Sequence, residues 1–125
     1  MADVVPMVSY EDCAAAADWL VGAFGFEETD RFEDEGAVTH VTLRMGDGFV
    51  FLGTPGEAYV NPKQLGAATV LLYIYVDDVD AHCDRARAAG AEIANEPADQ
   101  PYGERTYDAR DPEGHSWYFA EQIRG

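Results

Sequence analysis

The amino-acid sequence predicts an α+β fold built from two tandem βαβββ modules. Three observations carry that prediction. The order strand, helix, strand, strand, strand can be traced twice along the chain. Each helix is preceded by an acidic pair suited to a cap, and each module closes on a glycine-containing hairpin turn. Finally, Asp12 and Asp78 lie 66 positions apart, as do Gly48 and Gly114, so two landmarks share one offset, as an internal duplication requires.

The elements follow in order. Val4 to Ser9 reads as a short buried strand, and Glu11 and Asp12 place negative charge and a capping oxygen where a helix begins. Ala16, Trp19, Leu20, Ala23 and Phe24 recur at i, i+3, i+4, i+7 and i+8, one apolar stripe, which predicts a helix over 12–24 stopped by Gly25. Strands are expected at Phe26 to Phe32, Ala37 to Met45 and Gly48 to Leu52, the last two joined by the tight turn Gly46-Asp47-Gly48. Residues 54–66, TPGEAYVNPKQLG, have no sustained period and read as a connector. The pattern then restarts: a strand at Thr69 to Val76, a helix over about 79–89, strands at Glu92 to Glu96 and Glu104 to Arg110, the turn Asp111-Pro112-Glu113-Gly114, and a strand from His115 to Gln122.

With 125 residues, 47% of them hydrophobic, the chain has the length of one domain that can bury a core of its own. Residues 1–125 are therefore read as a single domain: module one at about 1–54, a connector at 55–67 and module two at about 68–125. A net charge of −16, from 24 acidic and 8 basic residues, argues against nucleic acid and anionic membrane as partners. It serves solubility and also favours cationic ligands. Cys13 and Cys83 stand apart inside helices and read as reduced, packed thiols. The first residues carry neither a basic start nor a long apolar run, so a cytoplasmic location is expected.

Residues 71–80, LLYIYVDDVD, followed by a helix ending Ala-Ala-Gly-Ala-Glu, resemble the opening of the second module in the vicinal oxygen chelate superfamily of glyoxalases, bleomycin-resistance proteins and extradiol dioxygenases. Residues 101–121, PYGERTYDARDPEGHSWYFAE, resemble its closing hairpin, the DPxGH turn above all, and residues 40–47, HVTLRMGD, are similar to the PhnB-like subgroup. The resemblance covers nearly the whole chain. It implies cupped mixed sheets, a ligand in the cup and a homodimer. It also implies four metal-ligand positions, which fall by spacing on Val5, Leu52, Leu71 and Tyr118. None is a usual ligand, since aliphatic side chains have no lone pairs to donate. Shifts of two residues substitute Asp3 or Met7, Val50 or Thr54, Thr69 or Tyr73, and Ser116 or Ala120, which adds one carboxylate. No metal and no other cofactor is expected.

If those positions face the cup, strand parity lines it with Val5, Met7, Val50, Leu52, Tyr73, Tyr75, Ser116 and Tyr118, and puts Phe49, Phe51, Trp117 and Phe119 under the helices. His40 and Thr42, with Thr106 and Asp108 as their counterparts, point away from the apolar face of Val41, Leu43 and Met45. A one-residue shift would exchange the faces and bring Phe51, His115 or Glu121 inward. The tyrosines offer flat surfaces and phenolic hydrogen bonds. Arg105 offers a planar fork for an anionic group, or for one of the many nearby acids. His115 is read as bracing its turn, and His82 as facing partly outward; neither is assigned to chemistry.

The function expected is that of a small-molecule binder, resembling bleomycin-resistance proteins, that sequesters an antibiotic or another toxic cationic or aromatic compound. The alternative is a lyase or isomerase working without metal, with His40 as acid or base beside Tyr73 or Asp108. A shifted register would instead restore a metal-dependent glyoxalase or dioxygenase.

Overall fold

The structure is a computed structural model that describes residues 3–123. The chain divides into two compact units, Met1–Asn61 and Pro62–Gly125. The division falls inside the expected connector.

In the first unit the elements are β1 (Met7–Ser9), α1 (Cys13–Phe24), β2 (Glu27–Asp34), β3 (Ala37–Met45) and β4 (Gly48–Gly53). They form one sheet in the order β1-β4-β3-β2, with β1 parallel to β4 and the other pairs antiparallel. The second unit contains α2 (Pro62–Leu65), β5 (Leu71–Tyr75), α3 (Val79–Ala88), β6 (Glu92–Asp99), β7 (Glu104–Arg110) and β8 (Ser116–Gln122). Its sheet order, β5-β8-β7-β6, with a parallel β5/β8 pair, reproduces the first. The α+β class and the doubled βαβββ order are as the sequence predicts. The short helix α2 interrupts a connector expected to be irregular, and β1 is only three residues long.

Both helices start as the acidic residues dictate. The Asp12 carboxylate accepts a hydrogen bond from Ala15 N at 3.0 Å, and Asp78 accepts one from Ala81 N at the same distance. Cys13, Ala17, Leu20, Ala23 and Phe24 of α1 are buried, and the helix packs on β3 and β4. Val79, Cys83 and Ala86 do the same for α3, which packs on β6, β7 and β8. Among the described residues no helix is long and apolar enough to cross a membrane.

The two hairpins differ by one residue. Arg44 faces Phe49 across the four residues 45–48, whereas Arg110 faces Ser116 across the five residues 111–115. Side chains alternate between faces, so the extra residue reverses which members of the last strand face the helix. In β8 the helix side takes Trp117 and Phe119, both fully buried, as expected. In β4 it takes Val50 and Leu52, which pair across the sheet with Leu43 and Val41 in the core. The expectation that Val50 and Leu52 line a cup while Phe49 and Phe51 are core is therefore corrected. Phe49 is 42% exposed and Phe51 half-buried, both on the face away from α1.

Candidate functional site

Each sheet buries one face under its helix and leaves the other open, and the open faces hold the candidate residues. In the first unit Met7 pairs with Phe51, Phe51 with Thr42, and His40 with Gly53 on one side and Phe32 on the other. Met7 lies across Gly53, where an added Cβ would meet its methyl carbon at 2.8 Å. His40 meets the Phe51 ring edge-on, with centroids 5.1 Å apart. Among the described residues no hydrogen-bond partner orients its imidazole. Val5 precedes β1 and is half-buried. At the far end of the sheet Arg44 is engaged by both oxygens of Glu27, at 2.9 and 2.8 Å. This face is thus apolar and aromatic around one histidine. The parity reading puts Phe49 and Phe51 under the helix, with Phe51 turned round only by a one-residue shift, and does not place Phe32; the hairpin length, countable only once the pairing is known, is the signal that places the first two.

The second unit's open face carries Leu71, Tyr73 and Tyr75 from β5, Ser116, Tyr118 and Ala120 from β8, and Glu104, Thr106, Asp108 and Arg110 from β7. Strand parity groups Tyr73, Tyr75, Tyr118 and Asp108 on this one face. Tyr73 and Tyr118 are cross-strand partners whose rings lie 6.2 Å apart and 15° from parallel, and Tyr75 meets Tyr73 edge-on at 5.7 Å. Tyr73 and Tyr75 both donate their phenolic hydrogens to Glu104, one to each carboxylate oxygen, with Tyr75 at 2.6 Å. These bonds hold the Glu104 carboxyl below the usual carboxylate range. Burial of its ring, and then the bond to Glu104, raises the Tyr73 phenol; for Tyr75 the bond to Glu104 is the main cause. Glu104 and Arg110 were readable in advance, because they share strand parity with Thr106 and Asp108.

Asp108 is almost fully buried, accepting from Asn95 Nδ2 at 2.8 Å and from Arg110 Nη1 at 3.3 Å. It orients its neighbours more than it presents itself to a ligand. Of the two readings of Arg105, the structure shows pairing with nearby acids. Its parity is that of buried Tyr107 and Ala109, so it lies on the helix side, paired with Asp99 at 3.0 Å and with Asp80 of α3 at 3.4 Å. Glu121 is also on the helix side, accepting from Val79 N at 2.9 Å. His82 sits against Phe119, centroids 4.1 Å apart, with Nδ1 2.6 Å from the Tyr107 hydroxyl. Burial raises the Tyr107 phenol, and the tautomer of His82 sets which of the two groups donates.

The closing turn is built on Asp111, itself buried. One carboxylate oxygen accepts from Glu113 N at 3.1 Å and His115 N at 3.0 Å, and the other from Trp117 Nε1 at 3.0 Å. Gly114, at φ 92°, passes so close to α2 that an added Cβ would lie 2.5 Å from Lys63 N. Lys63 N in turn donates to Glu113 O at 3.0 Å. α2 is thereby fixed to the hairpin, and between them they wall a cleft of about 680 Å³ at the Leu71, Ser116 and Arg110 end of the open face.

The fold is an α+β protein of two βαβββ modules, each with one sheet face packed on its helix. The family model of the Glyoxalase/Bleomycin resistance protein/Dioxygenase superfamily matches residues 4–119, and the chain belongs to that superfamily. An uncharacterized protein of Mycobacterium tuberculosis is 33% identical over 125 residues, covering 95% of this chain and 74% of its own. The crystal structure of TioX from Micromonospora sp. ML1 is 36% identical, with a TM-score of 0.81 over 98% of this chain and 100% of that one. TnmS3, an antibiotic binding protein from Streptomyces sp. CB03234, shares the fold, with a TM-score of 0.73 at 21% identity over 98% and 97% of the two chains.

The superfamily's metal positions do not suit a metal here. In the first unit the open-face position on β4 is Phe51, since Leu52 faces α1, and its counterpart near β1 is Val5. In the second unit the positions are Leu71 and Tyr118. Two aliphatic side chains, a phenyl ring and one phenol do not make a donor set for a divalent ion. Among the described residues no group of three or more His, Cys, Asp or Glu side chains is placed to hold one.

Proposed function

We propose that this protein binds and sequesters a small, flat aromatic compound on the open face of the second unit. The observation that carries the reading is the tyrosine surface itself. Tyr73 and Tyr118 lie nearly parallel, and Tyr73 and Tyr75 remain 40% and 56% exposed although their hydroxyls are fixed by Glu104. Large aromatic rings left in water but locked in place are pre-organised for a ring that stacks on them. A cationic substituent would be directed to the Glu104 end, where ring faces and a carboxylate converge. The antibiotic-binding role of TnmS3 on the same fold supports the reading. The buried thiols of Cys13 and Cys83, which form no disulfide, fit a reducing compartment such as the cytoplasm. Pairing of two chains, which the family resemblance implies, belongs to the same reading and is checked by light scattering.

The test uses a neutral flat probe, 2-naphthylmethanol, titrated into the full chain by calorimetry. Binding should weaken by roughly 2- to 10-fold in Tyr118→Ala and in Tyr73→Ala, the value of one aromatic pair. Affinity unchanged in both variants would remove the tyrosine face as the site. Acid–base catalysis at His40 gains no support from its surroundings in the first unit, which are ring edges and a thioether.

A further inference from the structure

We propose that the cleft walled by α2 and the closing hairpin is a carboxylate-binding subsite, in which Arg110 grips and Lys63 attracts the acid group of the compound that stacks on the tyrosines. The proposal rests on the binding reading only for the position of the ring. The anion site itself stands on how the cations are used.

In a chain with 24 carboxylates and 8 basic residues, the expected fate of a cation is an ion pair within the protein. Arg31, Arg44, Arg87 and Arg105 meet it at short range, each with an exposed Asp or Glu within 3.0 Å. Two cations do not. Lys63 makes no ion pair among the described residues. Arg110 reaches only the buried Asp108, at 3.3 Å, and the Ser116 hydroxyl, also at 3.3 Å, both through Nη1. Its Nη2 and Nε have no protein partner among the described residues. These two side chains line the same cleft.

The supporting structure is that of a built site. Asp108 is locked by Asn95, and Ser116 stands directly opposite Arg110 on the neighbouring strand, so the guanidinium is held from two sides with one edge left to donate. A planar fork with two adjacent free N–H groups matches a carboxylate. The remaining walls include Thr69, Val70 and Leu71, a mixture of one hydroxyl and apolar surface, and about 680 Å³ is within the range of small-molecule pockets. Ser116 and Tyr118 are successive residues on the same face of β8, about 7 Å apart. A ring on Tyr118 and an acid group at Arg110 can thus belong to one compound. Glu104 lies at the other end of β7, so the face is polarised, with its cation in the cleft.

Calorimetric titration of the full chain with 2-naphthoate and with the neutral 2-naphthylmethanol tests this. The acid should bind about 10- to 100-fold more tightly than the alcohol. Arg110→Gln should abolish that preference by weakening the acid far more than the alcohol; Arg110→Lys, which keeps the charge without the fork, should retain part of it. Lys63→Gln should weaken the acid about 2- to 3-fold, an effect that disappears at high salt. Equal affinities for acid and alcohol in the unaltered protein would overturn the carboxylate site and leave the aromatic reading standing. A preference that depends on Arg110 but is indifferent to Tyr118→Ala would overturn the tyrosine reading and keep the anion site. Displacement of naphthoate by inorganic phosphate at equal concentration would overturn the assignment to a carboxylate. Far-ultraviolet circular dichroism of Arg110→Gln matching that of the unaltered chain fixes the loss on the side chain, and failure of Arg110→Lys to bind better than Arg110→Gln would overturn the proposal.

Discussion

The two units have the same strand order and the same capped helix, yet their open faces have little in common. The first offers Met7, Phe32, Phe49, Phe51 and His40; the second offers three tyrosines, Glu104, Asp108 and Arg110. Part of the difference is substitution at matching positions. The rest is mechanical, because the second closing hairpin has one more residue than the first and therefore presents the opposite set of its last strand. The lesson is that a duplicated module can change the chemistry of a whole strand face by the length of one turn, provided the residues on both faces are apolar enough to be buried. In β4, Phe-Val-Phe-Leu meets that condition from either side.

Shifting β4 by one residue tests this most severely. One glycine inserted after Gly48, with the turn 45–48 kept, would put Phe49 opposite Leu43 and turn Phe49 and Phe51 under α1 while expelling Val50 and Leu52. Two aliphatic side chains leaving the core cost about 5 kcal/mol, before the misfit of two phenyl rings, comparable to the whole stability of a small domain. The expected result in urea unfolding is loss of the cooperative transition; a transition within about 1 kcal/mol of the original would mean that β4 does not need its register.

Next in size is the contrast between the turn aspartates. Asp111 holds three hydrogen-bond donors inside the second turn, whereas Asp47 is exposed. Asp111→Ala should cost about 3 kcal/mol, much of it from the buried Trp117 indole left without an acceptor, and Asp47→Ala no more than about 0.5 kcal/mol. Similar midpoints for the two variants would contradict the difference in construction. The turn glycines form a milder pair. Gly46 and Gly114 both have positive φ, but only Gly114 has backbone within reach of an added methyl. Gly46→Ala should cost about 1 kcal/mol for its conformation alone, and Gly114→Ala about 2–3 kcal/mol as it pushes Lys63 and α2 off the turn. Equal losses would show that α2 is not pinned there.

The smallest effect is one of pH and belongs to the second unit alone. The phenols of Tyr73 and Tyr75 are raised in the folded chain, so the stability they contribute is fully present below the ordinary tyrosine value near pH 10 and is lost as pH rises beyond it. Glu104, lowered by the same bonds, contributes above the ordinary carboxylate range and loses that contribution as pH falls through its folded value. Glu104→Gln should move the ultraviolet phenolate titration of two tyrosines toward the ordinary value. Titration curves that superimpose would show that the carboxylate does not hold the phenols.

The amino-acid sequence by itself determined the class, the doubled topology, both helix starts and the helix-facing residues of the second unit. Each of these follows from local signals: a capping aspartate, a 3.6-residue stripe, a turn dipeptide, or alternation within one strand. The same alternation made Tyr73, Tyr75, Tyr118 and Asp108 legible as a shared face. Tertiary structure alone decided the face of β4, because alternation says which residues go together but not which set goes inward, and Val50 with Leu52 is as buriable as Phe49 with Phe51. Only tertiary structure, too, could assign Arg105 to Asp80 and Asp99 and leave Arg110 and Lys63 together at a cleft. Ion pairing depends on which strands and helices become neighbours in space, and residues 47 positions apart in the chain carry no local trace of each other.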